Sequence, residues 1–199
     1  MTPRPTLYIF AKAPVMGRAK TRLARDIGVV QAKRLYRAMM AQVLRQVQGP
    51  RWDTVLAITP PSALGAVPEW QGTEQIAQVS GSLSPRLAAA FQTKGPVIVI
   101  GTDCPQVTAS DIAAGFEALR HSAAVFGPAD DGGFWLMGAN APLRPSTFDH
   151  VRWSHEDTLS DIKARIDGDI AVLRTLTDVD DLKALQAYRQ SLLPVSVEH

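Results

Sequence analysis

Apolar positions along the chain follow two rhythms. Short apolar runs of strand length come between longer stretches in which apolar residues recur at the spacing of one helix face. The densest run is Val97-Ile98-Val99-Ile100, preceded by Pro96. Four consecutive β-branched apolar residues predict a strand buried on both faces, as in the middle of a parallel sheet. Weaker runs predict strands at residues 7–11, 53–59, 75–79, 123–127 and 170–173. Between them, residues 29–48 predict an amphipathic helix. There Leu35, Met39, Val43 and Val47 turn inward and Arg34, Arg37 and Arg45 outward, with Gly28 as a break before it. Ser84 as N-cap and Pro85 at N1 predict a helix to about residue 93, ended by Gly95. Thr108 followed by Asp111 predicts a capped helix over residues 109–121. Further helices are expected at 154–166, capped by Ser154 and Asp157, and at 177–192; residues 62–72 and 142–153 read as irregular. Strands alternating with helices predict an α/β protein, a single domain over residues 1–199 with a mostly parallel central sheet and helices on both faces.

The loops after these strands carry the candidate chemistry. The first strand runs into Lys12-Ala13-Pro14-Val15-Met16-Gly17-Arg18-Ala19-Lys20-Thr21-Arg22-Leu23. A strand, a Gly/Pro loop dense in cations and a helix start are how α/β proteins hold phosphates. Backbone N–H groups face the anion while Lys and Arg neutralise it. Two residues separate Gly17 from Lys20, so the loop is not a Walker A motif, and it lacks the GxGxxG pattern as well. After the central strand, Gly101-Thr102 leads to Asp103. In open α/β sheets the carboxyl ends of the strands form the ligand crevice, so Asp103 is expected to project there. A carboxylate in that place suits a hard cation that keeps water and substrate phosphates; it also suits a plain turn before a helix. Asp130-Asp131-Gly132-Gly133 follows another strand, where acids face a ligand that the glycines let approach, or simply turn the chain. Three acids, Asp178, Asp180 and Asp181, precede the last helix, explained by its dipole or by a second metal ligand.

Charge sharpens the picture. The net charge of +2 hides an asymmetry: residues 1–51 hold 11 of the 21 Lys and Arg but one of the 19 acids, Asp26. That distribution points to a local anion site; a nucleic-acid surface needs a broader basic stripe. No apolar run reaches the ~18 residues of a membrane span, and the start of the chain has no secretory leader pattern. The one cysteine, Cys104, excludes an internal disulfide and fits a reducing cytoplasm. Cys104 reads as a small packed residue because no histidine lies near it in sequence, and His121, His150, His155 and His199 have no metal-ligand spacing. Trp135 and Trp153 read as core or as walls of an acceptor pocket.

Three ordered blocks together carry a resemblance: Lys12-Ala13-Pro14 with Gly17 and Lys20-Thr21-Arg22-Leu23; Gly101-Thr102-Asp103-Cys104-Pro105; and Gly127-Pro128-Ala129-Asp130-Asp131-Gly132-Gly133-Phe134. Over nearly its whole length the chain resembles a bacterial family of GT-A-fold transferases, the radical-SAM/selenodomain-associated type, often labelled glycosyltransferases. The wider nucleotide-diphospho-sugar transferase superfamily also includes phospholactate guanylyltransferases and molybdenum-cofactor nucleotidyltransferases. The resemblance implies a three-layer GT-A fold, with Lys12, Gly17, Arg18, Lys20 and Arg22 on nucleotide phosphates and Asp103 on a divalent metal, Mg²⁺ or Mn²⁺. It implies a second metal ligand in Asp178-Val179-Asp180, for which Asp180 is preferred. Here that segment runs straight into Asp181-Leu182, without the longer Thr-Pro-Glu-Asp-Leu-like stretch of the family. Gly81 to Arg86 resembles the family's Gly-x-Leu-Gly-x-Arg, with Ser84 in place of the second Gly, and places Arg86 at the nucleotide.

The expected activity is metal-assisted transfer from a nucleoside triphosphate or nucleotide sugar to a small-molecule acceptor. Lys20 and Arg22 stabilise charge on the leaving phosphates, and Asp130 or, preferably, Asp131 orients the acceptor or takes its proton. The crowded cations suit a triphosphate that leaves pyrophosphate, which favours nucleotidyl transfer. Glycosyl transfer is the alternative, and a nucleotide-binding module without turnover or a hydrolase at the same metal site stays open.

Overall fold

The computed structural model describes residues 3–15 and 20–192. In chain order the elements are β1 (Thr6–Lys12), α1 (Thr21–Ile27), α2 (Val29–Gln46), β2 (Asp53–Thr59), β3 (Glu74–Ala77), α3 (Leu83–Ala90), β4 (Val97–Ile100), α4 (Ala109–Ala118), β5 (Ala124–Pro128), β6 (Phe134–Ala139), α5 (Thr158–Lys163), β7 (Ile170–Val172) and α6 (Leu182–Ser191). Single 3₁₀ turns lie at Pro61–Ala63, Pro68–Trp70 and Pro145–Phe148.

The strands form one sheet in the order β3-β2-β1-β4-β6-β5-β7. The pairs β1·β2, β1·β4, β2·β3 and β5·β7 are parallel, and β6 runs antiparallel to both β4 and β5. Because β6 reverses direction between them, β4 and β5 point the same way, and their carboxyl ends share one edge of the sheet with β1. The sheet order steps outward from β1 and β4 in opposite directions, which opens a crevice there for a ligand.

All four residues of β4 are buried, and the strand explains the sheet's two-faced core. Ile98 and Ile100 join Leu7 and Ile9 of β1 against Tyr36, Met40 and Val43 of α2 and Ile112 of α4. Val97 and Val99 face the other way, toward Leu87 and Phe91 at α3, Phe126, Met137 and Ile162 of α5. Strand side chains alternate between faces, so only a strand apolar at every position can serve two helical layers. Ile98→Ala would leave a hole in the first layer at a cost of about 2–5 kcal/mol. A smaller cluster of Leu23, Met39, Val179, Leu185 and Tyr188 fastens α1 and α6 to α2.

Several local expectations shift. Helix α3 starts at Leu83, with Ser82 at the N-cap position but without a side-chain cap bond; Ser84 lies within the helix, and its hydroxyl donates to the carbonyl of Phe148 at 2.8 Å. Helix α4 stops at Ala118, shorter than residues 109–121, but its capping box between Thr108 and Asp111 is present in full. Asp157 precedes α5, and α6 begins at Leu182, where the Asp181 side chain accepts from the Ala184 N–H at 2.8 Å. The region 62–72 holds two 3₁₀ turns. The strand β6, Phe134–Ala139, is an addition to the strands that the apolar runs predict.

Candidate functional site

Three chain segments meet at the carboxyl edge of β1 and β4. The first is the start of α1. Lys20 adopts the left-handed conformation (φ 52°, ψ 49°) and caps α1 through its backbone. For a residue with a Cβ that conformation costs of order 1–2 kcal/mol, so surrounding contacts must hold it. They do: the Lys20 ammonium stands 2.5 Å from Asp103 Oδ1 and 2.6 Å from Asp180 Oδ1, with 4% of its side chain exposed. Burial disfavours the charged ammonium, yet the two adjacent carboxylates outweigh it and hold the group above the usual lysine range.

The second segment is the loop after β4. Its backbone is tied to the third: the Val179 N–H donates to the carbonyl of Asp103 at 2.9 Å, and fully buried Val179 anchors Asp178 and Asp180 on either side. Asp180 therefore faces Asp103 across Lys20, while Asp178 turns to Cys104. The Cys104 thiol donates to Asp178 Oδ1 at 2.8 Å. Burial pushes the Asp178 carboxyl up to about 6. The thiol's hydrogen bond opposes the shift, and Asp103, Asp131 and Asp180 add to it. Burial, then the Asp178 charge, raises the Cys104 thiol far out of the range of a nucleophile. Cys104 is thus a packed hydrogen-bond donor, as its sequence surroundings suggested.

The β5–β6 hairpin closes the third side. Its turn is Asp130-Asp131-Gly132-Gly133, in which Asp131 Oδ1 accepts from the Gly133 N–H at 2.9 Å. Turn chemistry and site placement coincide here. Gly132 has φ +88°, and a Cβ on it would stand 2.1 Å from the carbonyl oxygen of Glu156, so the hairpin tip sits directly on the segment preceding α5. Between these walls lies an open cleft of about 530 Å³, lined by Asp103, Asp131, Asp178, Asp180, Arg22 and Trp153 among others. A smaller hollow of about 160 Å³ opens beyond Phe10, toward β2 and β3, and is lined by Gln78 and Arg86. Arg86 donates to Gln78 Oε1 at 3.1 Å, and its buried Nε has no protein partner.

Of the residues singled out in the sequence, Lys20, Arg22, Asp103, Asp131 and Asp180 come together, and Arg86 lines the neighbouring hollow. Lys12 is exposed at the end of β1, where its carbonyl accepts from the Tyr36 hydroxyl at 2.8 Å. Gly17 and Arg18 lie outside the described residues. Asp130 is exposed and bonds through its backbone N–H to Leu176. His121, His150 and His155 are exposed. Glu156 and the Ser84–Trp153 contact were missed, since neither stands in a motif; only the serine's departure from Gly-x-Leu-Gly-x-Arg hinted at the second.

The chain is similar to known proteins that share this fold. A protein of Desulfovibrio desulfuricans G20, provisionally named a nucleotide-diphospho-sugar transferase, is 25% identical over 98% of this chain and 90% of its own, with a TM-score of 0.85. Rv0371C of Mycobacterium tuberculosis H37Rv, solved as a manganese complex, is 15% identical over 96% of this chain and all of its own, at 0.55. A CMP:2-keto-3-deoxy-manno-octonic acid synthetase solved with CTP is 13% identical over 96% of this chain and 98% of its own, at 0.60. The last two bear on the fold alone. No curated protein matches the chain. The fold is therefore that of the nucleotide-diphospho-sugar transferases. A family model matching residues 40–155, more than half of the chain, places the protein in DUF2064, the family described as uncharacterized protein conserved in bacteria.

Proposed function

We propose that this protein transfers a group from an activated nucleotide to a small acceptor, with a divalent cation held by Asp103 and Asp180. The observation that carries this reading is the Lys20 ammonium seated between those two carboxylates at the edge of an open cleft. A position 2.5–2.6 Å from two hard oxygens is one built for positive charge. Among the described residues no group of three or more ligating side chains is present. Two carboxylates still fit Mg²⁺ or Mn²⁺, ions that complete their shells with water and substrate phosphates. Occupancy by such an ion requires Lys20 to move. When bound, the ion neutralises charge on the phosphate oxygens.

The chain's own residues supply the rest. Lys20 exchanges its carboxylate partners for nucleotide phosphates, and Arg22 at the start of α1 adds a second cation on the leaving side. Arg86, with a buried N–H lacking a partner, and Gln78 face the nucleoside from the hollow beside β2 and β3. Asp131, fixed by its own turn, receives the acceptor proton. The acceptor oxygen forms the new bond as the bond to the leaving phosphate breaks; its proton goes to Asp131 and the electron pair leaves with the phosphate. With a triphosphate donor the leaving group is pyrophosphate and the new bond is to phosphorus. With a nucleotide sugar it is a nucleoside diphosphate, and the new bond is to the anomeric carbon. The cations gathered around the opening loop favour the first.

The manganese in Rv0371C and the CTP in the synthetase are consistent with a divalent ion and a nucleotide in this fold, and the provisional name of the Desulfovibrio protein keeps sugar transfer as the second reading. The test is a panel of nucleoside triphosphates and nucleotide sugars with Mg²⁺ or Mn²⁺ and a mixed acceptor pool. Metal-dependent pyrophosphate release supports nucleotidyl transfer, nucleoside diphosphate release supports sugar transfer, and no nucleotide binding at all rejects the function.

A further inference from the structure

The cleft is lined by the apolar side chains of Phe10, Leu83, Leu87, Phe134 and Trp153 together with Asp103, Asp131, Glu156, Asp178 and Asp180, with His155 among them. Among the described residues lining it, Arg22 is the one permanent cation, and it stands at the phosphate side on α1. Lys20 beside it is committed to Asp103 and Asp180. Arg152, next to Trp153 in sequence, is spent on Asp157 and Asp161 at 2.7 Å each and faces solvent.

The half of the cleft away from β1 is rigidly built. The Trp153 indole N–H donates to Ser84 Oγ at 2.9 Å, and that hydroxyl donates onward to the carbonyl of Phe148. A glycine at position 84 could make neither bond, so the departure of this chain from Gly-x-Leu-Gly-x-Arg fixes the orientation of an aromatic wall. At the hairpin tip, Gly132 packs on the Glu156 backbone and accepts from the Leu159 N–H at 3.1 Å, so the Asp131 turn is clamped to the segment that carries Glu156. An acceptor entering here meets an oriented indole and a phenyl face together with the carboxylates of Asp131 and Glu156.

We infer that the acceptor carries no anionic group: it is a neutral or cationic hydroxyl-bearing molecule with a flat apolar face that rests on Trp153 and Phe134. A phosphate or carboxylate on the acceptor would meet the like charge of Asp131 and Glu156, while Arg22, Lys20 and the proposed divalent ion are taken up by the nucleotide phosphates and His155 is the remaining ionisable base among the described lining residues; hydroxyl groups or an ammonium would be hydrogen-bonded by the same carboxylates. This rests on the transferase reading in naming the bound molecule an acceptor.

A matched pair of probes tests it: phenyl β-D-glucoside and phenyl β-D-glucuronide differ only in carrying a hydroxymethyl group or a carboxylate. Titrated into the full chain with Mg²⁺ and followed by calorimetry, the glucoside is expected to bind at least about tenfold more tightly than the glucuronide. Trp153→Leu should abolish glucoside binding, and Glu156→Lys should narrow the ratio between the two. Equal or tighter binding of the glucuronide, binding of neither, glucoside binding that survives Trp153→Leu, or an unchanged ratio in Glu156→Lys overturns the inference. Nucleotide titration of the same protein separates the two readings. If nucleotide fails to bind, the transferase function falls, whatever the glucoside does. If nucleotide binds while the pair shows no charge preference, the acceptor class alone is wrong.

Discussion

The Lys20 ammonium lies 2.5 Å from Asp103 Oδ1 and joins the opening loop to the end of the central strand. The carboxylate proposed for a divalent ion and the lysine proposed for phosphates are thus direct partners. The two roles are compatible only in sequence: a cation held by Asp103 and Asp180 would require Lys20 to leave them, and its ammonium would then be free for phosphates. Lys20→Met removes the internal competitor, so Mn²⁺ alone should bind at least about tenfold more tightly while nucleotide affinity falls. Electron paramagnetic resonance of free Mn²⁺ measures the first and calorimetry the second. Mn²⁺ affinity unchanged by the substitution would mean that the lysine and the ion do not share a place.

Asp178 gives a pH signature in chelator-treated protein. Its carboxyl is pushed up to about 6, above the ~3.9 of an exposed aspartate. A group whose folded pKa is raised binds more protons in the folded state, so its contribution is complete below about pH 4 and is lost as pH rises through 6. The loss is about 2–3 kcal/mol by the same linkage. Melting temperature between pH 4 and 8 should therefore fall less in Asp178→Asn than in the parent. Parallel curves would show that Asp178 titrates normally.

Asp131 and Gly132 sit side by side in one turn but should fail differently when changed. Asp131→Asn keeps the turn's acceptor oxygen and removes the proton-accepting group, so turnover should drop by about 10²-fold or more with nucleotide affinity little changed. Equal loss of both would move Asp131 to the nucleotide side. Gly132→Ala sets a Cβ against the Glu156 backbone at positive φ, and should cost about 2–4 kcal/mol in denaturant unfolding. A smaller cost would mean that the hairpin and the Glu156 segment yield to each other.

What the sequence made legible follows from how local each signal is. The strand β4 announces itself because a doubly buried strand must be apolar at every position, and the Thr108–Asp111 capping box is written within four residues. The strand β6 lacks that signature: Phe-Trp-Leu-Met-Gly-Ala has no β-branched residue and follows directly on two glycines. Its Gly138 is required by contact, since a Cβ there would meet Val125 and Ile98 within 2.9 Å. Ser84 reads as a cap by type, yet it lies inside α3 and its hydroxyl bonds the distant Phe148 carbonyl and Trp153 indole, partners that no local pattern reveals. In the same way Asp103, Asp131 and Asp180 could each be suspected from its own loop. The meeting of Asp103 and Asp180 around Lys20, with Asp131 lining the same cleft, and the use of Asp178 by Cys104 depend on chain segments that come together only in the folded sheet.

Asp103→Asn examined by thermal melting tests the central claim most directly. The Asp103 side chain is 46% exposed and supports little of the core, and Asp180 still faces Lys20 when it is changed, so the variant should fold. Saturating Mg²⁺ with a bound nucleotide should stabilise the parent by ~2.7 kcal/mol at a hundredfold excess over Kd. The Asn variant should lose most of that metal-dependent increment while keeping whatever nucleotide binding the basic loop provides without metal. An equal metal-dependent rise in melting temperature for both proteins would remove Asp103 from the metal site and contradict the proposed metal-dependent transferase.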